Sequence, residues 1–148
     1  TESQIEALAS AGVKHVLWGN LFDVAQTPSI KTRVQLLGED SAAIVLAAVT
    51  KATLAHNREM NDAIRRLEKA HPSLKIIQLD LFSKLADMVK DPAKYGFVDI
   101  TTGANDSKHL FSADGLHPTT QGHKLLAEHA FSILSGTKTA TTNQPVGQ

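Results

Sequence analysis

The sequence predicts an α/β layered fold, in which helices pack against a sheet. The first observation is a short helical pattern at residues 3–11, which Gly12 closes and an apolar strand pattern at residues 13–18 follows at once. The second is another apolar strand pattern at residues 74–79, which lies between two further helical patterns. A helix that is closed by glycine and leads directly into an apolar strand is typical of α/β layers.

A loop follows the first strand. Gly19-Asn20 ends that strand, and residues 21–30, which contain Thr27-Pro28-Ser29, are predicted to form the loop. A loop at the carboxyl end of a strand is a common place for a binding site in open α/β sheets. The sequence pattern of residues 31–39 is ambiguous.

A long helix is predicted next, from Asp40 or Ser41 as its N-cap to about Ala70. Its apolar stripe recurs at steps of three and four residues and consists of Val45, Val49, Ala52, Met60, Ala63, Leu67 and Ala70. Thirty helical residues would span roughly 45 Å, so we predict a kink or break near His56-Asn57. His71-Pro72 ends the helix.

The second half of the chain is predicted to contain a capped helix, an irregular loop and a final helix. Asp80 follows the second strand and is placed to cap a helix over residues 81–90, which Asp91-Pro92 stops. Residues 94–113 show no clear periodicity and are predicted to form an ordered but irregular loop. The last helix is predicted over residues 120–135.

Length and composition place the chain among globular proteins of one domain. It has 148 residues, of which 42% are hydrophobic and 20% are charged. Residues 1–136 are expected to form the domain, and the Thr-rich residues 137–148 are expected to form a flexible tail or linker. The chain starts at Thr1 without an initiator methionine or a signal peptide, so we expect it to be a processed or excised piece.

Charge balance and cysteine content exclude several classes of function. The 15 basic and 15 acidic residues cancel, and no block of like charge stands out. The sequence therefore offers no electrostatic case for binding nucleic acid or an anionic membrane. Because the chain has no cysteine, neither a disulfide framework nor a thiolate metal site is possible. No segment is long and apolar enough to span a bilayer.

An acid and a histidine lie three residues apart, at Asp114 and His117. In a turn, this spacing lets the carboxylate accept a hydrogen bond from Nδ1–H of the imidazole, which leaves Nε2 free as a base. Pro118 holds His117 in an extended conformation. Taken alone, the same residues fit equally well an Asp-Gly turn at a helix start, with a histidine that only contacts backbone.

The residues around this pair form a longer block, which runs Leu110-Phe111-Ser112-Ala113-Asp114-Gly115-Leu116-His117-Pro118-Thr119 and continues to Gly122-His123. This block resembles the C-terminal block of the GDSL (SGNH) hydrolase family. Three other regions resemble blocks of the same family in the same order, namely residues 12–28, residues 56–61, and residues 76–80 with Pro92, Tyr95, Gly96 and Phe97. The resemblance covers nearly all of residues 4–135.

The resemblance implies a flavodoxin-like three-layer α/β/α fold with a parallel sheet, of which this chain would be the C-terminal part. It also implies a serine hydrolase that acts on acyl-ester or lipid substrates without a metal or cofactor. Asp114 and His117 would be the acid and the base of its Ser-His-Asp triad. Many bacterial members are exported, so the resemblance implies a secreted or cell-envelope location.

The family's nucleophile has no counterpart in the aligned region. The family carries its serine in a Gly-Asp-Ser motif near the N-terminus, where its oxyanion glycine and asparagine also belong, and the alignment begins after all three. We therefore expect this chain to be the C-terminal half of such an enzyme and to be inactive alone. Its partner would be the N-terminal part of the same enzyme, which carries the serine.

Two segments resemble the nucleophile and oxyanion motifs that the aligned region lacks. Gly38-Glu39-Asp40-Ser41 looks like a nucleophile motif, but Ser41 falls where the family's long helix begins, so an N-cap is the preferred interpretation. Gly103-Ala104-Asn105-Asp106 looks like an oxyanion motif, but Asn105 stands only nine residues before Asp114. Neither Ser41 nor Asn105 is assigned a catalytic role.

Other candidates and alternatives remain open. Asn20 could line the substrate site or merely form a turn, and Trp18 is assigned to the core. His123 could support the His117 loop or lie exposed on its helix. A zinc site would use His109, Asp114, His117 and His123, although their spacing fits no known metal motif. An alternative from another class is a non-catalytic α/β domain for binding or assembly, in which the Asp–His turn is structural.

Overall fold

Helices alternate with short strands along the chain. The structure is a computed structural model that describes residues 2–136, so the predicted tail at residues 137–148 lies outside the described residues. The helices are α1 Glu2–Ser10, α2 Pro28–Gln35, α3 Glu39–Ala70, α4 Leu81–Lys90 and α5 Thr120–Leu134. The strands are β1 His15–Gly19, β2 Lys75–Leu79, β3 Asp99–Gly103 and β4 His109–Phe111, and single 3₁₀ turns occupy Val24–Gln26 and Ala93–Tyr95.

The strands pair in parallel in two small sheets. Strand β1 pairs with β2, with Val16 opposite Ile76 and Trp18 opposite Gln78. The connection between them contains α2 and α3, which form a long helical crossover. Strand β3 pairs with β4, with an irregularity in their register. The predicted α/β class is confirmed, and the parallel strands are consistent with part of a flavodoxin-like fold.

The junction between α1 and β1 forms as the sequence predicts. Gly12 has a positive φ of 91°, which glycine adopts without a steric cost. Its N–H donates to the carbonyl of Ala9, and Val13 N–H donates to the carbonyl of Leu8, each at 3.0 Å. This pair of bonds is the Schellman motif, and it turns the chain directly into the strand.

The long helix α3 differs from its prediction at its start and its middle. It begins at Glu39 after Gly38, which has a φ of 83° and offers no side-chain cap, so the predicted N-cap at Asp40 or Ser41 is wrong. Ser41 lies inside the first helical turn. The helix is uninterrupted for 32 residues, so the predicted break near His56-Asn57 is absent. Packing of its buried side chains stabilises the helix along its length.

The buried stripe of α3 contains polar side chains. Its buried residues are Ala42, Thr53, Asn57, Met60, Ala63 and Leu67. The predicted stripe included Ala52 and Ala70, which are exposed, and missed Thr53 and Asn57. An apolar pattern cannot find Thr53 and Asn57, whose buried side chains hydrogen-bond to the carbonyls of Val49 and Leu21.

Two segments that were predicted to be loops contain regular structure. Residues 21–30 include a 3₁₀ turn and the start of α2, and residues 94–113 contain β3 and β4, so the prediction of an irregular loop there is wrong. Strand β3 has the sequence Asp-Ile-Thr-Thr-Gly and β4 has only three residues. Such short and polar strands give no periodicity that a sequence pattern could detect.

Nine of the buried apolar residues between residues 2 and 136 form two clusters. The first joins α4, β4 and the turn before β3 through Leu85, Met88, Phe97, Leu110 and Phe111. The second joins α1, α3 and β2 through Ile5, Leu67, Leu74 and Ile76. No helix between residues 2 and 136 is long and apolar enough to cross a bilayer.

The loop after β1 is fastened to both neighbouring helices. Leu21 N–H donates to Oδ1 of Asn57 at 2.9 Å, and Nδ2 of Asn57 donates to the Leu21 carbonyl at 2.8 Å. Asn20 accepts the N–H groups of Leu81 and Phe82 at 2.7 and 2.9 Å, and thereby caps α4 together with Asp80. The carboxyl end of β1 is therefore fixed by side-chain amides.

We predict that Asn57→Ala destabilises the chain by about 1–3 kcal/mol, because it leaves the amide and carbonyl of Leu21 without partners in a part-buried site. Chemical denaturation of the two proteins measures the difference. The exposed neighbour His56 provides the control, and His56→Ala should change the free energy of unfolding by no more than about 0.5 kcal/mol. Equal effects of the two substitutions would contradict the prediction.

Candidate active site

The predicted acid and histidine lie in a turn that follows β4. Phe111 at the end of β4 is fully buried and forms an antiparallel bridge with Pro118. Inside this bridge, Ser112 N–H donates to the His117 carbonyl and Gly115 N–H donates to the Ser112 carbonyl, each at 2.8 Å. The backbone thus closes on itself around Asp114 and presents the turn at the surface.

The Asp114 carboxylate collects four hydrogen bonds. Oδ1 accepts the Ser112 hydroxyl at 2.8 Å and the N–H groups of Leu116 and His117 at 2.9 and 3.0 Å. Oδ2 lies 2.6 Å from Nδ1 of His117. The hydrogen bond from His117, followed by the two backbone N–H groups, holds the pKa of Asp114 well below its usual range.

His117 presents its other ring nitrogen to solvent. Its side chain is 70% exposed, against 50% for Asp114. Because the ionised carboxylate can only accept, the hydrogen-bond partner assigns the proton to Nδ1 in the neutral ring and leaves the Nε2 lone pair free. Between residues 2 and 136, no side chain hydrogen-bonds to Nε2. The ring can therefore take a proton from a group that arrives from outside this part of the chain.

Three other segments brace the turn. Oδ1 of Asn105 accepts the N–H of Ala113 at 3.0 Å, and Ser29 N–H, in the first turn of α2, donates to the Gly115 carbonyl at 2.9 Å. A Cβ at Gly103 would lie 2.2 Å from the Ser112 carbonyl oxygen, so only glycine allows β3 to approach this closely. No sequence pattern indicates the contact of Asn105 with Ala113, because it joins two segments that only the fold brings together.

Other candidates from the sequence lie away from this turn or serve the fold. The amide of Asn20 is used to cap α4 and to contact Asp80, so its proposed place in a substrate site is not supported. Trp18 packs partly against the second apolar cluster, in agreement with its assignment to the core. The side chain of His123 is exposed on α5. Ser41 lies on α3 and makes no recorded hydrogen bond to His117.

A second Asp–His pair precedes the first. Asp106 accepts the N–H groups of Lys108 and His109 at 2.8 and 3.0 Å, and Nδ1 of His109 at 2.8 Å. Nε2 of His109 faces Oδ2 of Asp99 at 3.7 Å. Among residues 2–136, no three His, Asp or Glu side chains are arranged to hold a metal ion, so the structure offers the zinc hypothesis no ligand set.

Two concave regions lie outside the Asp–His turn. An open groove of about 620 Å³ runs between α1 and β1 and is lined by Gln4, Ile5, Ala7, Leu8, Val16, Leu17 and Trp18. A smaller one of about 240 Å³ lies between the loop after β1 and α4, with Asp23 and Lys90 at its wall. Neither is lined by Asp114 or His117.

The chain is similar to known proteins over most of its length. A family model described as GDSL-like Lipase/Acylhydrolase matches residues 2–130. Together with the parallel α/β fold, this match defines the class of protein as a family of lipases and acylhydrolases. The chain belongs to the GDSL lipase/acylhydrolase family, as the sequence blocks predicted.

Individual relatives are plant proteins that are longer than this chain. GDSL esterase/lipase APG from Arabidopsis thaliana is 28% identical over 104 residues, which cover 53% of this chain and 29% of that protein. Two further GDSL esterases/lipases from Arabidopsis thaliana are 23% and 24% identical over 82% and 91% of this chain, and over 38% and 42% of their own lengths. The chain thus spans less than half the length of these relatives.

We predict that the pKa of the Asp114 carboxyl lies below the ordinary aspartate value of about 3.9. His117→Ala should raise this pKa toward the ordinary value, because the hydrogen bond from His117 is the largest cause of the shift. The pH dependence of the carboxyl ¹³C chemical shift measures both values. A lowered pKa in the folded chain means that ionised Asp114 stabilises the fold at neutral pH, and that this contribution is lost as the pH falls through the folded pKa. An ordinary pKa in the unsubstituted chain would contradict the prediction.

Proposed function

We propose that this chain supplies the acid and the base of a Ser-His-Asp triad in a GDSL-type serine ester hydrolase. The observation that carries the proposal is the 2.6 Å contact between Oδ2 of Asp114 and Nδ1 of His117, with Nε2 turned to solvent. Membership of a family of lipases and acylhydrolases supports the reaction class. The substrates proposed are acyl esters, including those of lipids.

In the proposed reaction, a serine hydroxyl attacks the ester carbonyl while Nε2 of His117 takes the hydroxyl proton. Asp114 stabilises the imidazolium that forms, because its carboxylate is ionised and already bonded to Nδ1. His117 then gives the proton to the leaving alcohol oxygen, which leaves an acyl-serine. Water attacks the acyl-serine by the same proton transfers and releases the carboxylic acid and the free serine.

The proposal places the serine and the oxyanion donors on another part of the same enzyme. One supporting observation is that no hydroxyl between residues 2 and 136 contacts Nε2 of His117. Another is that the part of the chain that matches the APG relative covers 29% of that protein's length. We further propose that the whole enzyme acts outside the cell or at its envelope, as many exported family members do.

The edge of β1 is suited to receive that part. Within the described residues β1 pairs only with β2, so its second edge offers unpaired N–H and carbonyl groups. Three consecutive residues of β1 line the open groove beside it, although successive side chains of a strand point to opposite faces. Leu8 and Leu17, on the same groove, are 46% and 40% exposed. A further strand at this edge would cover them.

We predict that a fluorophosphonate probe does not label the 148-residue chain, but labels its complex with the N-terminal part of the parent enzyme that carries Gly-Asp-Ser. Labelling needs the base, so His117→Ala in the complex should reduce the labelling rate by about 10³-fold or more. His123→Ala alters an exposed histidine of α5 and should leave the rate unchanged. Mass spectrometry of the labelled peptide identifies the serine.

Labelling of a serine on this chain alone would contradict the proposed division of the triad. Ser41→Ala would then test the nearest imitation of the nucleophile motif. An unlabelled complex that still assembles stably would instead favour the alternative function, a non-catalytic binding or assembly domain.

A further inference from the structure

Ser112 contacts the acid of the proposed triad directly. Its hydroxyl donates to Oδ1 of Asp114 at 2.8 Å. Among residues 2–136, His117 is the other residue whose side chain hydrogen-bonds to this carboxylate. The backbone of Ser112 is fixed at both ends, since its N–H bonds to the His117 carbonyl and its carbonyl accepts Gly115 N–H. The backbone hydrogen bonds of the Asp–His turn therefore also fix the position of the Ser112 hydroxyl.

The two carboxylate oxygens of Asp114 accept hydrogen bonds from different donors. Oδ1 accepts the Ser112 hydroxyl and two backbone N–H groups, whereas Oδ2 is bonded to the ring of His117. Rotation of the carboxylate about its Cβ–Cγ bond would exchange the oxygens and break these bonds. A third donor on Oδ1 makes that rotation costlier, because bonds to ionised acceptors are the strong ones.

The neighbouring turn provides an internal comparison without the hydroxyl. Oδ1 of Asp106 accepts the N–H groups two and three residues later, as Oδ1 of Asp114 does. No hydroxyl donates to Asp106 among the described contacts, and the ring of His109 bonds to that same Oδ1, at 2.8 Å. In the Asp114 turn, the ring bonds to the other oxygen at 2.6 Å. The ring and the backbone N–H groups therefore bond to different carboxylate oxygens in the turn that has the Ser112 hydroxyl, and to the same oxygen in the turn of Asp106.

We propose that Ser112 is a positioning residue for the base: its hydroxyl fixes the Asp114 carboxylate so that Oδ2 holds His117 in the Nδ1–H tautomer with Nε2 outward. The inference rests on the proposed role of His117. Ser112 is not a nucleophile in this arrangement, because its hydroxyl proton is directed to Asp114. It acts on the reaction through Asp114 and His117.

Ring ¹⁵N chemical shifts of His117 in the 148-residue chain test the proposal, because they report the tautomer of the neutral ring without requiring activity. We expect Ser112→Ala to lower the ratio of Nδ1–H to Nε2–H by roughly threefold or more, the effect of losing one net hydrogen bond. Ser112→Thr retains the hydroxyl and should restore the ratio. Ser107→Ala, at an exposed serine of the neighbouring turn, should leave it unchanged.

An unchanged ratio in Ser112→Ala overturns the inference, as does a failure of Ser112→Thr to restore it. Should Ser112→Ala lose its folded spectrum, Ser112→Cys keeps a side chain of similar shape with a much weaker donor and should lower the ratio in the same way. Asp114→Asn tests the pair itself. If the ratio is unchanged in Asp114→Asn as well, the proposed acid–base pair fails, which is a different result from the failure of Ser112 alone.

Discussion

The hydrogen bonds to the Asp114 carboxylate are the interactions on which the Asp–His turn depends. The carboxylate is ionised and accepts donors from both sides of the turn, and these bonds lower its pKa. A turn of this shape leaves the N–H groups of Leu116 and His117 pointing inward, where only an acceptor two or three residues earlier can reach them. The carboxylate that orients the ring of His117, the proposed base, therefore also closes the loop.

The fold holds this turn in place through a buried side chain and a backbone hydrogen bond from a distant segment. Strand β4 ends in the fully buried Phe111, which anchors the turn in the first apolar cluster. From the other sheet, the loop after β1 leads to α2, whose Ser29 N–H bonds to the Gly115 carbonyl. Gly115 has a positive φ of 67°, and a Cβ there would lie 3.0 Å from the nitrogen of Ser29. The first sheet is thus connected to the turn at a point where a larger residue would not fit easily.

The elements that could be predicted from the sequence are those with local causes. Gly12 predicts the end of α1 because a Schellman motif needs its positive φ, and Asp80 predicts the start of α4 because it accepts the Ser83 N–H. The pairing of Asp114 with His117 follows from a spacing of three residues. Strands β3 and β4 were not predicted because they are short and have little apolar pattern. The contacts of Asn105 and Ser29 with the turn were not predicted because they depend on how the folded backbone brings separate segments together.

Exposure limits what the pair can do in this chain alone. The contact between His117 and Asp114 is short, but their side chains are 70% and 50% exposed, and water competes for exposed charges and screens them. The same pair gains strength when a second surface excludes water, because the effective dielectric constant falls. The segment proposed to carry the serine would therefore do more than add a nucleophile. By covering the turn, it would strengthen the electrostatic support that Asp114 gives to the imidazolium, so that the base becomes effective only where a nucleophile is present.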